Sequence, residues 1–491
     1  MDHLHEAEGV SPIRGSGGEW RSTAARLLMA RRRNWRLFTL AVSFGVLILI
    51  STAPAPDGLT QQGQKALAIF AMCIILWVTH AFPLAVTSFL AIALLPIMKV
   101  MDPGEAFALF GNEAVFFIMG AFILAAALLK SGLSTRIALI FLSRFGGNPE
   151  HLLLGVLASS AFLAFWMPAH AVAALMFPII LQIARSLGLE PGRSSYGKAL
   201  FFSLAWGSII GGVATLLGGA RNPLAIGILW QHHHLRLGFG EWMVAAVPIT
   251  VVMLCCAYGV IRFFFRIDVA DISRARDALR AAIDDLGKVS WPERWVGVVV
   301  GGTICCWIGL SHTVGLANIA VLGAVSLFVL NLVRWNDIED YVNWGVILMY
   351  GGAIAVATAL TETGAAQWLV VSLLTRYELT PFMLVVAISL VAKVLTEGIS
   401  NAAAVAVLLP IGFSLGEVYG VHPVLMVYAV AIPSGLAFSL PMGTPPNAIC
   451  YSSGYYGLRE ALKAGFVLNV ASWIAFLLMV KLYWPLIGVR L

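Results

Sequence analysis

The stretch Thr396–Ala403 reads TEGISNAA and interrupts an apolar segment that continues through residues 408–411, LLPI. Hydrocarbon offers no hydrogen-bond partner to the backbone of a broken helix. Polar side chains at such a break must therefore be buried in protein or face an aqueous cavity. For this reason Ser400 and Asn401 are the first candidates for a site that binds a transported solute.

The composition of the whole chain places this break in a membrane protein. Of the 491 residues, 60% are hydrophobic and only 11% are charged, whereas soluble domains carry about 25% charged residues. The six cysteines show no spacing typical of a metal site or a disulfide framework. The sequence has no nucleotide-binding glycine loop, so neither an ATP-driven pump nor an enzyme is indicated. We predict an all-α polytopic membrane protein without a resident cofactor.

The net charge of +6 reflects the position of the basic residues and does not indicate a nucleic-acid partner. Arginines cluster between residues 21 and 36, just before the first apolar run, which predicts a cytoplasmic N-terminus and a multi-pass protein of the inner cell membrane. On the predicted outer side the main basic residues are Arg236, Arg376 and Arg490. The predicted organisation is a basic cytoplasmic tail (1–36), a first helix and outer loop (37–64), a first inverted repeat (65–266), a cytoplasmic linker (267–293) and a second inverted repeat (294–491).

The two halves are related by an internal repeat. A shift of 232 positions places Gly120 on Gly352 and residues 173–179 on residues 405–411, where both copies end in a Pro-Ile pair. Farther along, residues 218–222 pair with 443–447 at a shift of 225. In the first copy, the turn after the span that contains Gly120 carries Lys130, whereas the corresponding turn of the second copy carries Glu362, so the copies are predicted to be inverted in the membrane. Such repeats place a substrate site near the membrane midplane.

This pattern predicts the architecture in more detail. About eleven transmembrane helices are expected, together with two re-entrant hairpins and two broken helices. The hairpins are predicted at residues 152–184 and 382–415, and the broken helices at residues 199–230 and 423–450. In the hairpin arm at 393–397, Lys393 and Glu397 are spaced to form a structural ion pair.

The second half carries specific motifs: LTE at 395–397, SN at 400–401 and GTPPN at 443–447. In these motifs, and in pattern over nearly the whole chain after residue 65, the sequence resembles the divalent anion/sodium symporter (DASS) family of dicarboxylate, citrate and sulfate carriers. The resemblance implies a small anionic substrate, a homodimer and an elevator-like movement of the site. It implies substrate contacts from Ser400, Asn401, Thr444 and Pro445. It also implies a sodium ion held by the residues Thr396, Ile399, Asn401 and Gly443.

The first half departs from the family pattern. By the shift of 232, Pro168, Ala169 and His170 stand where the second half has Ser400, Asn401 and Ala402, and an alanine stands in place of Thr396. The side-chain oxygens that a first sodium ion would need are therefore missing. At the matching helix break, Arg221 precedes Asn222 and occupies the position of a proline in the second half.

The first half lacks the ligands of a cation site but carries an additional arginine nearby. This combination suggests that the arginine supplies the positive charge of the missing cation. We hypothesise that Arg221 replaces the first sodium ion and, with Asn222, grips the anion, since a guanidinium can form two parallel hydrogen bonds to a carboxylate. His170 would contact the substrate or accept a proton. The competing interpretations are that Arg221 is a structural plug and that His170 is only a hydrogen-bonded residue of the hairpin tip. Residues 232–234 are three consecutive histidines. We interpret them as part of a solvated outer loop in preference to a metal site.

The predicted function is secondary active transport of small divalent anions, with dicarboxylate ahead of sulfate or another oxyanion. Coupling is to sodium at the one retained site, or to protons or exchange. Two alternatives stay open: a membrane sensor or scaffold that binds the anion without moving it, and a cation/proton antiporter of similar architecture. The absence of an aspartate in the broken segments counts against the antiporter.

Overall fold

A computed structural model describes residues 17–339, 341–374 and 379–489. The described residues form helices without strands. The helices of the first half are α1 (Gly17–Thr52), α2 (Gln61–Thr79), α3 (Leu84–Ile97), α4 (Pro103–Ala108), α5 (Glu113–Lys130), α6 (Leu133–Ser143), α7 (Pro149–Ala164), α8 (Ala169–Ser186), α9 (Ser195–Ala214), α10 (Arg221–His233) and α11 (Phe239–Phe264).

A short helix, α12 (Ser273–Asp285), lies in the segment between the halves. The second half then contains α13 (Trp291–Val314), α14 (Leu316–Val329), α15 (Trp335–Glu339), α16 (Trp344–Glu362), α17 (Ala365–Leu374), α18 (Pro381–Gly398), α19 (Asn401–Tyr419), α20 (Pro423–Ser434), α21 (Pro445–Tyr451) and α22 (Leu458–Leu478). Short 3-10 turns at Leu109–Gly111 and Trp484–Ile487, and a π-helical turn at Met479–Tyr483, complete the helical structure.

The order of helices repeats, with α2–α11 matching α13–α22 one for one. The first arms of the two hairpins begin at Pro149 and Pro381, and the second arms at Ala169 and Asn401, each pair 232 residues apart. Each first arm has a proline at its first position, where a helix does not need the missing N–H. The repeat found in the sequence is therefore also a repeat of secondary structure, while its inversion in the membrane stays a prediction.

Eleven of the described helical segments are long and apolar enough to cross a membrane, which supports the predicted polytopic fold. This set includes both arms of the second hairpin and the second arm of the first, because length and composition do not distinguish a hairpin arm from a crossing helix. The first helix begins at Gly17, so part of the predicted tail (1–36) is helical. Arg376 and Arg490, two of the predicted outer basic residues, lie outside the described part of the chain.

Small residues allow the first hairpin to pack closely against the broken helix that follows it. Gly207 and Gly211, four residues apart on α9, lie directly against the backbone of Leu157 and Ala161 on α7. A Cβ atom at either glycine would overlap with a carbonyl oxygen of α7. Close approach of this kind is how helices associate in a membrane, where apolar burial alone gives no driving force.

The two halves also exchange contacts around the helix breaks. Helix α21 of the second half packs on α8 and α9 of the first, and α10 of the first half packs on α19 and α20 of the second. The second segment of each broken helix therefore packs against the second arm of the hairpin of the other repeat. This arrangement brings both breaks into one region.

Candidate functional site

Three oxygen atoms meet at the tip of the second hairpin. The Thr396 hydroxyl oxygen lies 2.6 Å from Oδ1 of Asn401 and 2.6 Å from the carbonyl oxygen of Ser434. A hydroxyl group has one proton, so it can donate to only one of these two acceptors at a time. The three oxygens are thus held close together with a single proton among them, an arrangement that suits a hard cation.

The remaining candidates of the second half flank this cluster. Ile399 ends α18, and Ser400 caps α19 by accepting a hydrogen bond from the backbone N–H of Ala403 at 3.2 Å. Gly443 lies against the backbone of Glu397, next to the hairpin tip.

Thr444 precedes the first residue of α21, but its side chain makes no capping hydrogen bond. Its hydroxyl is buried and has no hydrogen-bond partner among the described residues. Pro445, the first residue of α21, is exposed. The structure therefore brings Thr396 and Asn401 into direct contact and leaves an unsatisfied hydroxyl at Thr444.

Ser434 is a contributor that the sequence analysis missed. Its carbonyl belongs to the last residue of α20, where helical carbonyls lose their partners. The available signal was the glycine that follows it, since a helix that stops at a glycine exposes carbonyl oxygens. Nothing in the sequence indicates, however, that Thr396 would reach this carbonyl.

Lys393 and Glu397 do not form the predicted ion pair. The Lys393 ammonium donates to the carbonyl of Leu436, while the Glu397 carboxylate accepts from the backbone N–H groups of Phe438 (2.9 Å), Ser439 (3.2 Å) and Leu440 (2.9 Å). The side-chain amide of Asn469 donates to the same carboxylate. The ammonium binds a carbonyl and the carboxylate binds N–H groups of the unwound segment 435–444. Both side chains therefore stabilise the backbone conformation of the second helix break.

Arg221 is the first residue of α10 and is buried. Its Nε donates to the carbonyl of Ala431 on α20 at 3.2 Å, and one of its terminal nitrogens donates to the carbonyl of Gly212 on α9 at 3.1 Å. No ion-pair partner of Arg221 occurs in the described ranges. The guanidinium thus crosslinks the two broken helices through main-chain carbonyls, and no carboxylate in the described ranges compensates its positive charge.

Asn222 has a counterpart at Asn447 with the same hydrogen bonds. The amide nitrogen of Asn222 donates to the carbonyls of Gly212 (3.2 Å) and Thr215 (2.7 Å). That of Asn447 donates to the carbonyls of Ala437 (3.1 Å) and Leu440 (3.4 Å), which lie 225 residues farther along the chain. Each asparagine therefore pins its own helix break. The break in the first half spans residues 215–220, so Arg221 and Asn222 are the first two residues of the helix that follows it.

The first hairpin tip differs chemically from the second. The backbone N–H of Ala169 donates to the carbonyl of Gly218 at 3.0 Å, so the carbonyl that corresponds to Gly443 already has a partner. The Thr215 hydroxyl donates to the carbonyl of Phe165. His170, the second residue of α8, is half-buried and has no hydrogen-bond partner in the portion of the chain that is described. This tip offers no cluster of oxygens like that at Thr396.

The histidine tract also differs from its prediction as an outer loop. His232 and His233 form the last turn of α10. One ring nitrogen of His232 lies 2.6 Å from the Thr361 hydroxyl, and both rings contact Phe413. Among the described residues, no group of three His, Cys, Asp or Glu side chains is arranged to hold a metal ion.

Known proteins resemble this chain in fold and in sequence. Two solved structures share the fold: MtrF of Neisseria gonorrhoeae, from a class of antimetabolite efflux pumps, and the YdaH transporter of Alcanivorax borkumensis. The MtrF comparison has a TM-score of 0.55 at 15% identity and covers 91% of this chain and 94% of MtrF. The YdaH comparison has a TM-score of 0.52 at 13% identity and covers 79% and 90%.

Sequence relatives are closer. The sodium-dependent dicarboxylate transporter SdcS of Staphylococcus saprophyticus is 31% identical over 461 residues, which cover 88% of this chain and 89% of that protein. SdcS of Staphylococcus aureus strain USA300 is 29% identical over 458 residues, with 88% of each chain covered. The family profile described as "Sodium:sulfate symporter transmembrane region" matches residues 31–490. The chain therefore belongs to the sodium:sulfate symporter family, whose members are multi-pass membrane transporters and not enzymes.

Proposed function

We propose that this protein is a sodium-coupled transporter of small divalent anions, with dicarboxylates as the preferred substrates, and that it binds one sodium ion per substrate. The observation that carries the proposal is the convergence of the Thr396 hydroxyl, Asn401 Oδ1 and the Ser434 carbonyl at the tip of the second hairpin. Main-chain carbonyls near Ile399 and Gly443 complete the sodium site. The names of the SdcS relatives support both the cation and the substrate class.

The substrate site lies between the two hairpin tips and the two helix breaks. Ser400, Asn401 and Thr444 contribute polar groups from the second half. The buried, unpaired hydroxyl of Thr444 can donate a hydrogen bond to an anion. Pro445 and Asn222 fix the shape of the two breaks beside the substrate. His170 reaches the site from the first hairpin tip, where its side chain is free to bind an oxygen of the substrate.

Arg221 takes the place of a first sodium ion in this proposal. It binds the Gly212 carbonyl at the end of α9 and the Ala431 carbonyl on α20, so it satisfies helix-end oxygens of the kind that otherwise hold a cation. A guanidinium is charged at all relevant pH values and does not dissociate. Its charge therefore attracts a dianion to the site without being carried across as a coupling ion.

This stoichiometry has an electrical consequence. One sodium ion and one dianion together carry one net negative charge, so an inside-negative membrane potential opposes their uptake by about 2.3 kcal/mol per 100 mV. Two sodium ions would make the cycle electroneutral, and three would make it electrogenic in the opposite direction. Exchange of one dianion for another would carry no net charge.

Uptake of radiolabelled succinate into proteoliposomes, with potassium gradients and valinomycin setting the potential, distinguishes these cases. We expect sodium-dependent accumulation that becomes weaker as the lumen is made more negative. Accumulation independent of the potential would overturn the stoichiometry and favour two sodium ions or exchange. Binding of succinate without any accumulation would overturn transport itself and favour a sensor.

We further propose that the protein lies in the inner cell membrane with its N-terminus in the cytoplasm, as a homodimer. The arginine cluster before the first apolar run supports the orientation. Cysteine accessibility at the two ends of the chain, in right-side-out vesicles, tests it.

A further inference from the structure

A groove of about 640 Å³ opens between the end of α11, the end of α18 and the first turns of α22. Its walls are apolar and are formed by Phe264, Leu440, Leu462 and Phe466. Leu462 and Phe466 lie in a segment that is long and apolar enough to span the membrane, and the two residues are 41% and 66% exposed. The groove is therefore on a surface where the surrounding solvent is lipid.

Helix α22 carries two basic side chains on the face that borders this groove. Lys463 lines it, and Arg459 is four residues earlier on α22, which places both on the same face of the helix. Both residues are exposed, and neither has a hydrogen-bond or ion-pair partner within the described ranges. Phe264, which also lines the groove, ends α11 just before the predicted cytoplasmic linker (267–293), so this face lies on the predicted cytoplasmic side, where bilayers present anionic headgroups.

The nearby acids do not neutralise these two charges. Glu460 lies between them in sequence, but its carboxylate is bound to Lys198 at 3.1 Å and to the backbone N–H of Gly457 at 3.0 Å. Glu397 also lines the groove, but its carboxylate accepts hydrogen bonds from three backbone N–H groups and from Asn469. Arg459 and Lys463 therefore remain available to an outside anion.

We infer that this groove binds an anionic phospholipid. The phosphate diester pairs with Arg459 and Lys463, and an acyl chain lies along Phe264, Leu462 and Phe466. A free phosphate ion would pair with the two basic side chains but would leave the apolar walls uncovered. A zwitterionic lipid would fill the walls, but its ammonium group would compensate the phosphate charge.

The position of the groove connects lipid binding to the transport site. Glu397 and Ser439 belong to its lining, and Glu397 holds the second helix break through its hydrogen bonds to residues 438–440. A bound acyl chain covers this contact from the membrane side. Anionic lipid is therefore expected to stabilise the folded protein as well as to bind it.

The test is retention and thermal stabilisation of purified protein by phosphatidylglycerol, with phosphatidylcholine as the reference lipid. The variant is the double substitution Arg459→Gln with Lys463→Gln. Its matched control is Arg274→Gln with Arg280→Gln, which removes the same charge from exposed positions on α12. Native mass spectrometry counts the lipids that remain bound, and unfolding in vesicles of each composition gives the stability.

Each basic side chain near a bilayer surface changes the affinity for anionic lipid by roughly fivefold. We therefore expect the double variant to bind phosphatidylglycerol about 25-fold more weakly and to lose its stabilisation, with unfolding in phosphatidylcholine unchanged. The α12 control keeps the wild-type preference.

Three results would overturn the inference. One is an equal loss in the α12 control. Another is unchanged retention of phosphatidylglycerol in the double variant. The third is stabilisation by inorganic phosphate that matches stabilisation by the lipid.

Discussion

The guanidinium of Arg221 lies directly against Gly435, in the space that the side chain of any other residue at position 435 would occupy. A Cβ at Gly435 would overlap with the guanidinium group. Gly435 directly follows Ser434, whose carbonyl contacts Thr396. The fixed cation from the first repeat and the oxygen cluster of the second repeat are thus packed against the same end of α20.

Substitution of Gly435 by alanine tests this packing. We expect Gly435→Ala to lower the unfolding temperature, with a cost of about 1–3 kcal/mol, because the guanidinium must move from its two carbonyl partners. Gly309→Ala is the control, since a Cβ there meets no atom within 4 Å. Thermal unfolding in detergent provides the comparison, and equal melting temperatures for the two variants would contradict the packing.

The two pinning asparagines should have similar energetic roles. We expect Asn222→Ala and Asn447→Ala each to destabilise the protein by about 1–3 kcal/mol, because each removes the amide donor of a buried main-chain carbonyl, that of Thr215 or that of Ala437. Asn318→Ala, at an exposed hydrogen bond to Val314, should change stability by no more than about 0.5 kcal/mol. A loss confined to Asn222 would show that the two breaks are not held in the same way.

Thr396 should determine the affinity for sodium. In Thr396→Val the central oxygen of the cluster is lost while the side-chain volume is nearly kept, so we expect the sodium concentration for half-maximal uptake to rise by about tenfold or more. Thr396→Ser keeps the oxygen and should stay close to the wild-type value. If valine and serine variants show the same sodium dependence, Thr396 is not a ligand.

Glu397 should stabilise the second helix break through its charge. Glu397→Gln replaces a carboxylate oxygen with an amide N–H group that faces backbone donors, so we expect a loss of about 2–3 kcal/mol in stability and reduced uptake. Glu417→Gln removes an exposed carboxylate from α19 and is the control. Comparable melting temperatures for both glutamine variants would argue against the amide contacts.

A buried ion pair outside the site ties the two halves together. Arg136 on α6 binds Glu293 on α13 at 2.8 Å, and it also donates to the carbonyls of Leu286 and Gly287. We expect Arg136→Met to cost about 3–5 kcal/mol, because the Glu293 carboxylate is left buried without a cation.

The exposed pair of Arg193 and Glu190 serves as the control for that prediction. Their side chains are 84% and 66% exposed. Arg193→Met should cost no more than about 1 kcal/mol. Adding Glu293→Leu to Arg136→Met should restore much of the stability, and a double variant as unstable as the single one would count against the unpaired charge as the cause.

Much of the fold could be predicted from the sequence because its determinants are local. Apolar runs long enough to span a membrane predicted the helices, and prolines and glycines predicted where helices are interrupted. The shift of 232 residues paired Asn401 with Ala169, and in the structure each of these residues begins the second arm of its hairpin. The first helix was the exception, since Gly17 starts it within the segment that was predicted as a tail.

The motifs also identified Thr396, Asn401 and Arg221 as candidate site residues, and their roles in binding stay a prediction. Their partners required the tertiary structure. Arg221 binds the carbonyl of Ala431, 210 residues away, and Thr396 reaches that of Ser434. Lys393 and Glu397, spaced for an ion pair, bind the backbone of the unwound segment instead. Every residue carries a main-chain carbonyl, so no residue type marks the ones that become ligands. The sequence alone therefore determined the helices, the repeat and the charged and polar side chains, and only the packing of distant segments decided which backbone atoms those side chains bind.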